Sequence, residues 1–497
     1  MKHLTITIGL LFISGATCSQ TAREEFDKYR QEQKAALSQY SKEKRTEFNN
    51  YRDSINAEYA KFLEETWKSF DLQRKEMGFK PMPKPPVYDP SKPIPDDSSK
   101  PAPVKPVSPV KPEPLPAKPV EPPAPKPAPV APQYPLSAEF YGTRIRLQAF
   151  SPQSKHLSGA SEKEVADYWR FLSKLSVSEW TDDALRIQRE LSLNDWGMYL
   201  LATDLFKAYF PAGTENEQTI FSVFLLNQLG YRAKIGRTAG GELYPLVAFR
   251  NSLLNTSYFP FNTNGTAVNY FVLNPKRKKL SSIQTCGGEY GNDGRVADIS
   301  ISQAPRLADT DDNQKLHYQN KIYTLGYNRN LVDFYSNYPC VDFSIYANAP
   351  LDKQTKESLK AELSPQIAGK SQEEAVNFLL HFVQKAFSYK TDPEQFGYEK
   401  WNFAEETLVS SYSDCDDRAI FFAQLVKNLL GMEVVLLNYP NVHLATAVRF
   451  DNPQTTGSYV NYNNVKYLIC DPTYINANLG MAMPQLRNTP IEVIPVR

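Results

Sequence analysis

"SYSDCDDRAIFFAQLV", residues 411 to 426, sets one thiol, Cys415, between acidic residues and runs at once into a dense apolar stretch. Ile420, Phe421, Leu425 and Leu429 recur with helical spacing and Gly431 marks a stop, so the stretch reads as a helix that opens at the cysteine. Ser413 or Asp414 stands where a cap is needed. The free N–H groups and positive dipole end of a helix start favour a thiolate, so the sequence predicts a sulfur placed where it can ionise.

A thiol nucleophile needs a base, and the base needs a third group to hold its tautomer and orientation. Both follow in order. His443 comes after a strand ("MEVVLL") and a tight "NYPN" turn and starts the next strand, with Ala445 and Ala447 as small same-face neighbours. Asp471 ends a third strand, which Pro472 stops. Helix start, strand and adjacent strand predict that Cys415, His443 and Asp471 converge. The reading requires the three side chains to meet and the sulfur to have an opening to solvent. Cys470 alternates to the opposite face from Asp471 and reads as core. The chain has five histidines, with no second one near these cysteines, so no metal site and no cofactor are expected.

The same pattern occurs earlier in the chain. "TENEQTIFSVFLLNQLGYRAKIG" (214 to 236) aligns with "DCDDRAIFFAQLVKNLLGMEVVLL" (414 to 437), "ELYPLVAF" (242 to 249) with "HLATAVRF" (443 to 450), and "YFVLNP" (270 to 275) with "YLICDP" (467 to 472). Three segments in one order at nearly constant offset read as a tandem duplication. The first copy carries Glu215, Glu242 and Asn274 where the second carries Cys415, His443 and Asp471, so it is expected to be inert in thiol chemistry. Packing against the second copy, substrate binding or closing one side of a cleft are the roles open to it. Residues 135 to 345 form this degenerate copy, with strands expected over 276 to 345, and residues 346 to 497 form the domain with the triad.

A cysteine on a helix start, a histidine on the following strand and an aspartate on the next resemble the transglutaminase-like branch of the papain-type thiol enzymes. The resemblance runs over about residues 366 to 497, from "SQEEAVNFLLHFVQKAF" to "CDPTY". It implies an α+β, papain-like core in which the cysteine helix packs on an antiparallel sheet, and acyl transfer through a thioester to water or an amine. It also implies an oxyanion site made partly by the backbone N–H of Cys415, with Tyr389 and Trp401 among the side chains available as second donor. The sequence departs from the pattern at Ser413, where many relatives have glycine, and at Asp416, where the crosslinking enzymes have tryptophan. Both departures place it nearer the bacterial hydrolase-like members. Asp414, Asp416 and Asp417 crowd the thiol and oppose its ionisation, which an imidazolium at His443, helped by Arg418, would have to outweigh.

The chain ahead of these domains is of another kind. Residues 1 to 19 read as a signal peptide: Lys2 and His3 start it, Leu4 to Ile13 are apolar, and "SGATCSQ" offers small residues for cleavage near Gln20. A secreted or periplasmic protein is expected; a lipid anchor on Cys18 is the alternative, although Gly15 and Thr17 match a lipoprotein box poorly. No later run of about 18 apolar residues is present, so no membrane span is expected after cleavage. From Ala22 to Met77 aromatic and large apolar residues recur every 11 positions, Phe26, Leu37, Phe48, Tyr59 and Phe70, beside Tyr29, Tyr40, Tyr51 and Phe62. This period of about 3.67 residues per turn predicts one long helix, within residues 20 to 80, with a one-sided aromatic stripe for self-association or an envelope partner. Residues 81 to 134, dominated by Pro, Lys, Ala and Val, read as an extended linker.

A net charge of +1 over 497 residues excludes an electrostatic nucleic-acid partner. Apart from Cys18, Cys415 and Cys470, the cysteines are Cys286 and Cys340, which flank one β-rich stretch and are the pair expected to bond if any do. Together the features predict an exported cysteine peptidase or amidase. Its rival is a non-catalytic envelope scaffold that presents a binding domain on the helix and linker. Stem peptides of the cell wall, dietary or host proteins and a neighbouring envelope protein all remain compatible as substrates.

Overall fold

The computed structural model describes residues 19–78, 82–91, 100–105, 134–148, 155–263, 266–274, 278–291 and 294–497. The signal segment, Cys18 and most of the Pro-rich stretch lie outside these residues. The chain divides into two compact units, residues 1–58 and 59–497. Among the described residues no helix is long and apolar enough to cross a membrane.

In the smaller unit a helix begins at Ser19. Its stripe is exposed: Tyr29, Tyr40, Phe48 and Tyr51 each show more than half of their surface to solvent. The helix ends at Glu64, short of the Met77 expected from the repeat. The last two members of the stripe therefore behave differently. Tyr59 is buried in the larger unit with its ring 4.9 Å from that of Trp169. Phe70 lies on the Lys68–Asp71 strand and packs against Phe259 and Phe261. The period persists there, but sheet pairing with Ser282–Thr285 captures the segment.

The larger unit is α+β, with two main antiparallel sheets. Seven strands run in the spatial order Lys68–Asp71, Ser282–Thr285, Ala233–Arg237, Leu243–Ala248, Thr266–Val272, Ser257–Thr263 and Gln73–Arg74. Five run in the order Tyr459–Tyr462, Val465–Cys470, His443–Val448, Val434–Tyr439 and Glu492–Pro495. In each sheet a helix (Glu215–Gln228, Cys415–Leu425) leads into four strands whose spatial order is first, second, fourth, third. The registers also agree: Leu246 faces Val272 and Val247 faces Phe271, as Ala447 faces Ile469 and Val448 faces Leu468. Between the sheets, residues 276 to 345 hold fewer strands than expected. They form the Ser282–Thr285 strand and the Asp312–Tyr318/Lys321–Tyr327 hairpin, then the helices Arg329–Ser336 and, reaching to Asn348, Phe343–Asn348.

Every residue of the Cys415–Leu425 helix is buried. On one face of the five-stranded sheet Leu444, Val448, Leu468 and Cys470 belong to the same core as Phe421 and Leu425 of that helix. On the other face Tyr439, Ala445, Ala447, Ile469 and Tyr474 form a second core, over which Met82, Tyr88 and Ala102 pack. Each fully buried Phe or Leu contributes about 1.5–3 kcal/mol of transfer free energy, so this helix is fixed by packing rather than by its termini. Cys470 is core, as its alternation from Asp471 predicts.

Cys286 and Cys340 do not pair: all four described cysteines are free. Cys286 Sγ lies 3.7 Å from Tyr59 Oη, and Cys340 Sγ lies 3.2 Å from Met77 Sδ. Proximity along a β-rich stretch did not bring their sulfurs together, because each is held beside another partner, Cys286 by Tyr59 and Cys340 by Met77. Denaturing alkylation without reductant is expected to modify all four thiols. Reductant is expected to move Tm by less than about 1 °C, whereas a native disulfide would contribute about 2–4 kcal/mol.

Candidate active site

The three predicted residues are placed by three elements of the C-terminal lobe. Cys415 opens its helix, His443 opens the strand beside it, and Asp471 follows directly on Val465–Cys470. His443 Nε2 is 2.9 Å from Asp471 Oδ2, with both residues buried. The other carboxylate oxygen, Oδ1, accepts the N–H groups of Thr473 at 2.9 Å and Tyr474 at 3.2 Å, which fixes the carboxylate plane. A carboxylate acceptor on Nε2 holds the proton there and leaves Nδ1 with the lone pair a base needs. Nδ1 is buried and has no hydrogen-bond partner.

The helix that Cys415 opens packs on the strand that His443 opens. No hydrogen bond joins thiol and imidazole. Nor is the sulfur open: Cys415 is 0% exposed, against the expectation of access to solvent. A cavity of about 660 Å³, lined by Trp196, Tyr199, Tyr338, Glu399 and Trp401 among others, is not lined by any of the three residues.

The helix start does not produce a thiolate here. Burial pushes the Cys415 thiol well up, and Asp414, Asp471 and Asp417 push it further, opposed by the Leu444 N–H. The expected caps are also absent. Asp414 sits at the N-cap without a side-chain cap bond, and Ser413 Oγ instead accepts from Arg418 Nε at 3.0 Å.

The Asp414 carboxylate belongs to an acidic cluster. One oxygen each from Asp392, Asp414 and Asp417 lie within 4.8 Å of one another, as do the Cys415 sulfur and oxygens of Asp414 and Asp416. Both oxygens of Asp414, both of Asp416 and Oδ2 of Asp417 are buried without a hydrogen-bond partner. Burial and then Asp417 and Asp414 push the Asp392 carboxyl up to about 10, and burial and then Asp414 push Glu399 up to about 7. Two cations lie nearby. Arg418 is committed to Ser413 and to the Phe387 carbonyl at 2.9 Å, and Lys400 to Glu406 at 2.7 Å. Asp392, Asp414 and Asp417 offer the all-oxygen donor set that suits a hard divalent cation. Counting histidines near cysteines, which argued against metal, does not weigh such a set.

Of the two oxyanion donors considered, the Tyr389 hydroxyl donates to the Met82 carbonyl at 2.5 Å. Trp401 Nε1 is buried without a partner while its ring stacks on Phe343 at 3.8 Å. In the N-terminal lobe Glu215 is exposed, Glu242 pairs with Lys278, and Asn274 Nδ2 donates to the Lys278 carbonyl at 3.0 Å. That helix start is closed by a capping box between Thr214 and Glu217. The aligned positions carry ordinary surface pairing.

A carboxyl whose pKa is raised in the folded state keeps a proton that the unfolded chain has released. Its stabilising contribution is present below the unfolded value of about 4 and is lost as pH rises towards the folded value. For Glu399 that window closes at about 7 and for Asp392 at about 10. In chelator-containing buffer Tm is expected to fall steadily from about pH 5 to about pH 9. Asp416→Asn is expected to raise Tm by a few degrees, on the order of 1 kcal/mol, more at about pH 8 than at about pH 5. Thermal melts across that range check both. Compared with protein-family models and with curated proteins, the chain matches none.

Proposed function

We propose that the C-terminal lobe is a transglutaminase-like cysteine peptidase or amidase, that the N-terminal lobe is a degenerate copy of it, and that the protein works outside the cytoplasm. The observation that carries the reading is the buried His443 Nε2–Asp471 Oδ2 bond of 2.9 Å, which leaves Nδ1 without a partner at the start of a strand packed on the helix that Cys415 opens. The common strand order and register of the two sheets support the duplication.

In the reaction, Nδ1 of His443 takes the thiol proton as Cys415 Sγ attacks an amide carbonyl. The tetrahedral oxyanion collapses to a thioester as the imidazolium returns that proton to the departing amine. Water, deprotonated by Nδ1, then attacks the thioester, releasing the carboxylate and restoring the thiol. Asp471 stabilises the imidazolium in both halves. An amine in place of water would give crosslinking.

The scaffold reading draws support from the sealed sulfur and from the exposed aromatic stripe on the long helix. Covalent probing separates the two. A peptidyl acyloxymethyl ketone is expected to add once, at Cys415, by intact-protein and peptide mass spectrometry. His443→Ala is expected to slow the addition at least about tenfold, and Cys415→Ser to abolish it. Addition that is indifferent to His443, or none at all, favours the scaffold.

A further inference from the structure

The linker was expected to be a free spacer, yet its described parts are docked on the C-terminal lobe. Tyr88 N donates to the Ile475 carbonyl at 2.7 Å and Ile475 N to the Pro86 carbonyl at 2.9 Å, a parallel bridge centred on Val87 and Ile475. Further on, Ala102 N donates to Tyr459 O at 2.7 Å and Lys105 N to Ile491 O at 2.8 Å. The Tyr88 ring meets Tyr474 edge-on at 6.0 Å, and Met82 and Ala102 pack on the outer core of the sheet.

The path of this strap follows the triad. Gly78 is pressed so closely on Asn441, two residues before His443, that a Cβ there would stand 2.4 Å from Asn441 Oδ1. The Met82 carbonyl accepts the Tyr389 hydroxyl, and Tyr389 is paired with Ser413, two residues before Cys415. Tyr88 rests on Tyr474, whose N–H is bound by Asp471. Gly78, Met82 and Tyr88 thus each touch a group that neighbours one of the three residues, with the Met82 carbonyl on the Tyr389 hydroxyl.

We infer that Met82–Ser91 occupies the substrate cleft in cis, closing the thiol from solvent, and that the cleft takes an extended, proline-containing peptide whose backbone pairs along Ile475. This rests on the reading of Cys415, His443 and Asp471 as a catalytic triad, and it accounts for a thiol that is sealed from solvent although His443 and Asp471 are paired. Backbone pairing to Ile475 is sequence-tolerant, so a peptide at sufficient concentration can compete with the strap for it.

The test uses the full chain and reads iodoacetamide modification of Cys415 by peptide mass spectrometry. Tyr88→Pro with Ala102→Pro removes two strap donors in a segment already rich in proline. It is expected to speed modification at least about tenfold with Tm nearly unchanged. A second variant, Val87→Cys with Ile475→Cys, is expected to slow modification when oxidised and to recover on reduction, so a misfolded proline variant does not decide the matter. The synthetic peptide MPKPPVYDPS, the sequence of residues 82 to 91, is expected to slow modification of the released variant where its scrambled form does not. Equal rates in parent, proline variant and oxidised variant overturn the strap. Rates that rise on release but ignore His443→Ala leave the strap standing and remove the triad beneath it.

Discussion

The hydrogen bond from His443 Nε2 to Asp471 Oδ2 is the constraint on which the chemistry proposed for the C-terminal lobe depends. It joins the first residue of one strand to the first residue beyond its neighbour, at the place where the pairing of the two strands runs out after Thr446 and Cys470. With that ladder ended, Asp471 is left to turn to the imidazole.

Around this point the electrostatics run against a free thiolate. Four buried aspartates face two cations that are occupied elsewhere, and burial with Asp414, Asp471 and Asp417 raises the Cys415 thiol. A buried carboxylate without partners costs several kcal/mol, so the cluster is an expense the fold carries at the site rather than a source of stability. Opening the lobe to water, neutralising the cluster, or both would lower the thiol towards its ordinary range. Under the inferred strap, closure and ionisation are linked: a segment that hides the sulfur would also keep it in the medium that suppresses its charge.

Much of this was legible in the sequence because it rests on local pattern. The apolar spacing after Cys415, the alternation that separates Cys470 from Asp471, and the alignment of 242–249 on 443–450 each appear in the structure with matching register. What was not legible depends on contacts between distant segments. Asp392 joins Asp414 and Asp417 through a short helix whose position no periodicity encodes, and the Pro-rich stretch gives no sign that Val87 will pair with Ile475. Phe70 keeps its place in the 11-residue repeat and still enters a strand, since sheet pairing outweighs helical spacing once the helix has ended at Glu64.

The most direct measurement of the central claim is the tautomer of His443, read from ¹⁵N spectra of histidine-labelled protein with His443→Gln for assignment. The account requires the Nε2–H tautomer, with the bonded proton shifted by Asp471 and the shift lost in Asp471→Asn. An Nδ1–H tautomer, or a ring indifferent to Asp471, would contradict it.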